Sequence, residues 1–339
     1  PWYPTRLLDV GINSDSLIKL HTTSFSEPQG PYLTLSHRWG GEHVLKLISG
    51  NLESFHNGVA INSLPRTFAE AVEITRRLNI RHLWIDSLCI IQDSIGDWRK
   101  ESLLMEKVYS HTHLNISATA SENCHSGLFR SRPPIPDWPW FVDLTVEEHG
   151  KKRCFIYPSN LLGSLDDLPL NKRAWVLQER ILPTRILSFS DTQLFWECRK
   201  TQGCEMFPEH LPLTACGDAA LSRCIEPSAI EERLRFNSSS GNYLPPSQYP
   251  YLMWYFIVDN YMTCGLTKME DKLVAISGLA KRISKLVNDD YLAGLWRSTL
   301  PTSLVWEVSN CIQSDGTTSS RPPQYRAPTW SWASVEGMI

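Results

Sequence analysis

A carboxylate interrupts the apolar face of one predicted helix. In GDWRKESLLMEKVY, residues 96–109, Trp98, Met105 and Tyr109 recur at the spacing that places them on one helical face. Glu101, three residues after Trp98, falls on that same face. A carboxylate in apolar surroundings costs on the order of several kcal/mol unless it is paired, hydrogen-bonded or protonated. Glu101 is therefore a candidate catalytic residue, because functional sites often keep carboxylates in such surroundings.

The same carboxylate has a structural alternative. A salt bridge from Glu101 to Arg38 or Arg81 at the rim of the core would compensate its charge. A functional Glu101 would instead use its fixed charge to stabilise positive charge that develops in a transition state. The residues alone leave both roles open.

Polar and aromatic residues also follow two strand-like segments. YLTLSHRW, residues 32–39, ends in a polar run before a Gly-Gly turn, and RHLWIDSLCII, residues 81–91, carries an Asp within an apolar stretch. Because ligands of parallel α/β sheets bind beyond the carboxyl ends of the strands, we expect these residues to meet at one site. The candidate substrate-binding residues are Ser36, His37, Arg38, Trp39, Cys89, Gln92 and Asp93, with Trp98 of the following helix.

Asp86 is the second candidate catalytic residue. Within its apolar run it needs a partner, which Arg38 or a loop amide would supply. The Arg38 guanidinium could instead present paired donors to a pyrophosphate. Trp39 could stack on a base or a nicotinamide ring, although packing in the core is the simpler interpretation. Cys89 with His37 as its base would suit a cysteine hydrolase, yet a buried Cys in an apolar run is more often inert.

The order of the elements predicts an α/β fold. Strand-like segments at 32–39, 81–91 and 111–120 alternate with helical segments that begin after Pro65 and near residue 96. This alternation is typical of a mainly parallel sheet that is flanked by helices and joined by right-handed crossovers.

The two parts of the chain differ in pattern. We predict one α/β domain over residues 1–200. Residues 201–339 begin with a stretch rich in Ser, Pro and Cys and continue with apolar residues at helical spacing. They are expected to form an irregular insertion and a mainly helical extension, whose Trp-rich tail, YRAPTWSWASVEG, packs on the first domain.

Composition and charge argue against several kinds of partner. The chain is 42% hydrophobic and 20% charged, as in ordinary soluble globular proteins. A net charge of −3 and a pI of about 6.4 give no general attraction to nucleic acid or to anionic membranes. The most apolar run, residues 251–258, is too short to cross a bilayer. We therefore expect neither a nucleic-acid partner nor a membrane partner.

The cysteines and histidines favour neither disulfides nor a metal centre. The nine Cys include no CxxC pair and the first residues lack a signal-peptide pattern, so a cytoplasmic protein with reduced thiols is expected. His111, His113, Cys124 and His125 lack the tight paired spacing of zinc ligands. The chain also lacks Walker A, GxGxxG, GxSxG and HExxH patterns, which argues against kinase, P-loop, Rossmann dehydrogenase and lipase classes.

Several sequence blocks in a fixed order resemble the fungal heterokaryon-incompatibility (HET) domain family. They are YLTLSHRWGG, LPRTFAEAVEITRRLNIRHLWIDSLCIIQD, DWRKESLLMEKVY and RAWVLQERILPTRILSF. Later stretches, DKLVAISGLA, YLAGLW and YRAPTWSWASVEG, resemble the segment that follows this domain in many fungal members. The resemblance covers nearly the whole chain.

This resemblance implies a role in programmed cell death after fusion of incompatible fungal cells. It also implies a fold similar to the flavodoxin-like TIR domains, some of which cleave NAD with a Glu close behind a Trp on a helix. Trp98 and Glu101 are similar to that pair, with the Glu three residues on instead of the four that the resemblance implies. NAD would be a substrate, with no cofactor, and Glu101 would stabilise the oxocarbenium-like ribose that remains when nicotinamide departs.

The chain departs from the family at three positions. His37 and Arg38 stand where the family usually has Tyr and Cys, and Ile91 replaces an Asn. Because a family ligand would contact these positions, we keep three hypotheses for the function.

The first hypothesis is an NAD nucleosidase with Glu101 as its key carboxylate and a pocket lined by Asp86, Arg38, Trp39 and Ser36. The second is a non-enzymatic signalling module in which the same surface recruits partners or self-associates as a homo-oligomer, which a buried Glu101 would favour. The third is a biosynthetic enzyme that cyclises or condenses a small aromatic or polyketide-like secondary-metabolite precursor.

Overall fold

A computed structural model gives the fold of most of the chain. It describes residues 2–41, 44–132, 140–146, 150–156, 165–209, 211, 245–308, 319–337 and 339. Cys216 and Cys224 and most of the predicted irregular insertion lie outside the described residues.

A nine-stranded sheet lies at the centre of the molecule. Its strands are β1 (Arg6–Asp9), β2 (Leu17–Thr22), β3 (Tyr32–Ser36), β4 (Val59–Ala60), β5 (His82–Ile85), β6 (Leu114–Ser117), β9 (Arg185–Phe189), β10 (Leu194–Cys198) and β11 (Gln202–Cys204), in the spatial order β11-β10-β9-β6-β3-β5-β1-β2-β4. Two separate hairpins are formed by β7 (Trp140–Val146) with β8 (Gly150–Ile156) and by β12 (Tyr291–Leu292) with β13 (Leu295–Trp296).

Eight α-helices accompany these strands in the described part of the chain. They are α1 (Leu52–Asn57), α2 (Arg66–Arg77), α3 (Asp86–Cys89), α4 (Ile95–His111), α5 (Ala174–Ile181), α6 (Tyr249–Met262), α7 (Ser277–Val287) and α8 (Leu300–Ser303).

The four central strands are parallel and confirm the predicted α/β fold. β3 pairs in parallel with β5 on one side and with β6 on the other, and β6 pairs in parallel with β9. In chain order these strands therefore lie as second, first, third and fourth, the arrangement of flavodoxin-like sheets. The strands on either side of this centre pair antiparallel. The direction of strand order reverses between β3 and β6, and such a switch point is where ligands bind in open α/β sheets.

Helices cover both faces of the parallel centre. The apolar face of α2 buries Phe68, whose ring lies 4.8 Å from the His37 ring at the end of β3. On the opposite face, the Tyr109 ring of α4 packs edge-on against Trp84 of β5. The sheet thus lies between two helical layers, because each layer buries one apolar helix face against it.

All three predicted strands are shorter than their sequence patterns, and the segment 32–39 forms β3 only over Tyr32–Ser36. The segment 81–91 leaves the sheet at Ile85, and a single helical turn, α3, begins at Asp86. The Asp86 Oδ1 atom accepts the Ser87 backbone N–H at 2.7 Å, a local bond that Asp side chains offer in competition with a strand ladder. Only the middle of the segment 111–120 is paired, as β6.

The helices of the C-terminal part share one hydrophobic core with the sheet. Trp254 of α6 and Leu279 of α7 belong to the same buried cluster as Leu35 of β3. Gly278 allows the close approach of α7 to α4 and α5, because an added Cβ would lie 3.1 Å from the Glu106 Cβ atom. The C-terminal part therefore packs directly on the helices that flank the carboxyl ends of the parallel strands.

The Trp-rich tail contains a short 3-10 helix, Trp332–Ser334. Trp332 is buried and its indole N–H donates to the Gly294 carbonyl at 2.9 Å, whereas Trp330 is largely exposed. The buried ammonium of Lys272 donates to the Val335 carbonyl at 2.7 Å and fastens the tail to the preceding helices.

The described residues contain no helix that is long and apolar enough to cross a membrane. They also contain no group of three or more His, Cys, Asp or Glu side chains that could hold a metal ion. Cys89, Cys124, Cys154, Cys198 and Cys204 are free thiols.

Candidate functional site

Two carboxylates and a serine meet at the carboxyl ends of the parallel strands. Ser36 is the last residue of β3, and Asp86 follows directly after β5. Glu179 reaches the same place from α5, where it interacts electrostatically with Asp86 and accepts a hydrogen bond from Ser36. Asn115 of β6 holds the arrangement, since its amide donates to the Ser36 hydroxyl at 3.0 Å and to the Glu179 carbonyl at 3.1 Å. These groups surround the switch point between β3 and β6, and we name them the switch-point cluster.

Asp86 is the solvent-facing carboxylate of the cluster. Its Oδ2 atom accepts the Trp39 indole N–H at 2.7 Å, and its Oδ1 atom accepts the Ser87 N–H. The Gln92 amide donates to the Asp86 carbonyl at 3.0 Å. The Asp86 side chain nevertheless keeps 23% of its surface exposed, so a ligand can reach a carboxylate whose orientation is fixed.

Glu179 is the buried carboxylate of the cluster. The residue is 6% exposed, and burial together with the neighbouring charge of Asp86 raises its pKa from 4.5 to about 7. Hydrogen bonds from Ser36 and Tyr109 and the charge of Arg173 act in the opposite direction. Two neighbouring carboxyl groups with such different surroundings are a common arrangement for acid–base and charge-stabilising chemistry.

His37 directly follows β3, and its side chain lies close to Asp86. Its Nδ1 atom is 3.6 Å from Asp86 Oδ1. Burial lowers the His37 pKa, so the imidazole is neutral at physiological pH. The Arg173 guanidinium donates to the His37 carbonyl at 2.8 Å and so joins the end of β3 to the start of α5.

Two indoles and a guanidinium lie on or next to the elements that form the cluster, since Trp175 is on α5 one turn before Glu179, Trp98 is on α4 and Arg38 follows β3. The ring centroids of Trp98 and Trp175 are 6.4 Å apart in an edge-to-face contact, and both side chains are half-buried. Arg38 is also half-buried, and its guanidinium makes no hydrogen bond or salt bridge to any residue that the structure describes. A guanidinium without a partner among the described residues is suited to bind an anionic ligand group.

Glu101 lies outside the switch-point cluster and pairs with Arg6. It is 1% exposed, and its Oε1 atom is 3.9 Å from Arg6 Nη2 of β1. Arg6 also binds the Asp97 carboxylate and donates to the Cys89 carbonyl at 2.7 Å. Burial raises the Glu101 pKa, and the Arg6 charge lowers it. The partners expected from the sequence, Arg38 and Arg81, are wrong, because the N-terminal strand supplies the arginine.

The remaining candidates occupy three different surroundings. Cys89 is buried and its pKa is raised to about 12 by burial, so it carries a neutral thiol and not a nucleophilic thiolate at physiological pH. Asp93 lies at the surface, where its Oδ1 atom accepts the Ser49 N–H at 2.9 Å. Arg81 forms an exposed ion pair with Asp9.

Glu179 is the site residue that sequence reasoning missed. It follows Trp175 at a spacing of four, which is one helical turn, so both side chains lie on one face of α5. This is the Trp–Glu spacing that the TIR resemblance implies, and Trp98 and Glu101 do not have it. The sequence RAWVLQER contains this Trp–Glu spacing. The same pattern also suits a short surface helix whose charged residues are solvated and whose Trp packs on the sheet.

Glu179 should make the stability of the protein fall as the pH rises toward neutrality. Its pKa is higher in the folded state than the ordinary value of 4.5, so the folded state binds the proton more tightly than the unfolded state. The stability that this proton provides is present below pH 4.5 and is lost as the pH rises through about 7. Urea denaturation between about pH 5 and about pH 8 should show this slope in the wild type and a smaller slope in Glu179→Gln. Equal slopes in the two proteins would contradict the raised pKa.

Comparison with known families agrees with the resemblance seen in the sequence. Residues 32–179 match the family model described as heterokaryon incompatibility protein (HET), and this range contains β3, β5, β6 and Glu179. No curated protein and no solved structure matches the chain. The chain therefore contains a region, residues 32–179, that is similar to the heterokaryon incompatibility (HET) family, and this region makes up less than half of the chain.

Proposed function

We propose that this protein belongs to the HET family and cleaves the nicotinamide–ribose bond of NAD, with Glu179 as the key carboxylate, and that this activity serves cell death after fungal incompatibility. The observation that supports the proposal is the position of Glu179. It lies one helical turn after Trp175 and beside the exposed carboxylate of Asp86, at the switch point of a flavodoxin-like set of strands. The TIR-like activity implied by the sequence thus has a carboxylate in the place where α/β sheets bind ligands.

The chemistry requires a fixed negative charge beside the ribose. When the C1′–N bond breaks, nicotinamide leaves with the bonding electron pair and the ribose becomes oxocarbenium-like. The ionised Glu179 carboxylate would stabilise that charge, and the low dielectric of its buried position strengthens the interaction. Water then adds to C1′ and releases a proton to solvent, giving ADP-ribose and nicotinamide.

Other residues of the site would bind and orient the substrate. Ser36 and Tyr109 fix the Glu179 carboxylate by hydrogen bonds. The Trp39 indole N–H donates to Asp86, so Trp39 would hold the Asp86 carboxylate in position. Arg38, whose guanidinium has no described partner, would bind a phosphate of the dinucleotide.

The burial of Glu101 favours a second candidate function. Glu101, the helix carboxylate that the sequence predicts to be catalytic, is 1% exposed and paired with Arg6, as expected for a non-enzymatic, self-associating signalling module. This module and the NAD nucleosidase differ in one prediction, since only the enzyme depends on the charge of Glu179.

The test is nicotinamide release from NAD by the purified protein. The assay should cover a wide range of protein concentrations, because an effector that acts as a homo-oligomer would be inactive when dilute. Release of nicotinamide and ADP-ribose in equal amounts would support the proposal. A folded protein that releases neither product at any concentration would overturn the NAD activity and leave the signalling module as the better hypothesis.

A further inference from the structure

A segment outside the matched HET region forms part of the boundary of the site. Gly265 pairs with Arg173 at the start of α5, since its N–H donates to the Lys172 carbonyl at 2.8 Å and its carbonyl accepts the Ala174 N–H at 3.0 Å. Residues 265–271 therefore run beside the helix that carries Trp175 and Glu179. We name this stretch the 265–271 segment.

The 265–271 segment contacts both indoles of the Trp98–Trp175 pair. Asp271 hydrogen-bonds with the Trp175 side chain. The Lys268 ammonium lies 5.8 Å from the centroid of the Trp98 ring, within the range of a cation–π interaction. Lys268 is exposed and forms no salt bridge with any residue that the structure describes. Its interaction with Trp98 at an exposed position is weak, so the ammonium can turn to a ligand at little cost.

The carboxyl groups and the lysine ammonium of the site lie on different elements. The switch-point cluster places two carboxyl groups, Asp86 and Glu179, at the strand ends. Lys268 lies over Trp98, Trp98 contacts Trp175, and Trp175 precedes Glu179 by four residues, or roughly 6 Å along the helix. A ligand with a cationic ring at the carboxylates would thus direct its anionic groups outward past the indoles.

From this arrangement we propose that Lys268 is a specificity-determining residue that binds a phosphate of the ligand, while Trp98 and Trp175 pack against one of its planar rings. The 265–271 segment then completes the site, which the region 32–179 does not form alone. This inference rests on the proposed function, because it assigns a role toward the diphosphate of NAD. It concerns binding only and includes no covalent step.

The experiment compares a ligand that carries a diphosphate with a ligand that carries no phosphate. ADP-ribose carries two phosphates and nicotinamide riboside carries none, and both are titrated into the full chain by calorimetry. The proteins are the wild type, Lys268→Ala, Lys268→Arg and Lys285→Ala, the last removing an exposed charge on α7 as a matched control. Lys268→Ala should weaken ADP-ribose binding about fivefold, the effect of losing one exposed charge pair. Lys268→Arg should restore most of it, and Lys285→Ala should resemble the wild type.

The KM and kcat for NAD give an independent readout. Lys268→Ala should raise KM by a similar factor and leave kcat nearly unchanged, because the phosphate contact is the same in the ground state and the transition state.

Several outcomes would overturn the inference. They are equal weakening of both ligands by Lys268→Ala, no weakening of either, and no ADP-ribose binding by the wild type. If the protein cleaves NAD but its binding of ADP-ribose does not depend on Lys268, the role of Lys268 is wrong and the proposed NAD cleavage stands. Lys268-dependent binding of ADP-ribose without any cleavage would defeat the proposed enzymatic function and leave the binding site standing.

Discussion

Glu179→Gln is expected to lower kcat for nicotinamide release by about 10²–10³-fold while the protein stays folded. The amide keeps the size of the side chain and its capacity to accept hydrogen bonds from Ser36 and Tyr109. What it removes is the negative charge beside the ribose, which matters most in the oxocarbenium-like transition state. KM should therefore change much less than kcat. The measurement is initial-rate kinetics on NAD, with the fold checked by circular dichroism.

Glu101→Gln is the matched control for this experiment. The same substitution is made on a buried carboxylate that contacts Arg6 and lies outside the switch-point cluster. Its kcat should stay within about threefold of the wild type, because an interaction with no reach to the substrate does not change transition-state binding. If Glu101→Gln abolished release and Glu179→Gln did not, the assignment of the key carboxylate would be reversed.

The parallel centre of the fold could be predicted because its signals are local. The helix α2 shows a continuous apolar face at helical spacing, and β3 and β5 are short apolar runs that end at polar residues. The rule that ligands bind beyond strand ends predicted a common place for Ser36 and Asp86, and in the structure these residues lie at the carboxyl ends of β3 and β5.

The parts that could not be predicted depend on contacts between distant segments. Glu179 joins the site because α5 lies across the end of β3, where Arg173 binds the His37 carbonyl, and no local pattern encodes that contact. Glu101 is paired because the N-terminal strand β1 lies antiparallel beside β5 and presents Arg6. The carboxylate on the apolar helix face, Glu101, is therefore buried beside a cation. The sequence pattern alone does not distinguish a buried ion pair from a catalytic carboxylate.

Arg6→Met is expected to lower the free energy of unfolding by about 3–5 kcal/mol, because it leaves a buried carboxylate without its cation. Arg6 connects β1 to Asp97 and Glu101 of α4 and to the Cys89 carbonyl, so one substitution loses several interactions of a single network. Arg81→Met is the matched control, since the Arg81–Asp9 pair lies at the surface and its loss should cost less than about 1 kcal/mol. The measurement is urea denaturation of both variants beside the wild type.

The loss of stability in Arg6→Met has two possible causes, the unpaired charge of Glu101 and the lost packing of the Arg6 side chain. The pH dependence of the free energy of unfolding distinguishes them. Burial already raises the Glu101 pKa above 4.5, and Arg6 opposes that shift, so its removal should raise the pKa further. A carboxyl group with a raised folded-state pKa stabilises the protein at low pH and loses this contribution as the pH rises through the folded-state value. The deficit of Arg6→Met should therefore be smallest near pH 4.5 and grow toward neutrality. The double variant Arg6→Met with Glu101→Gln should lack most of that pH dependence, whereas a deficit that does not vary with pH would show that packing and the Cys89 contact account for the loss.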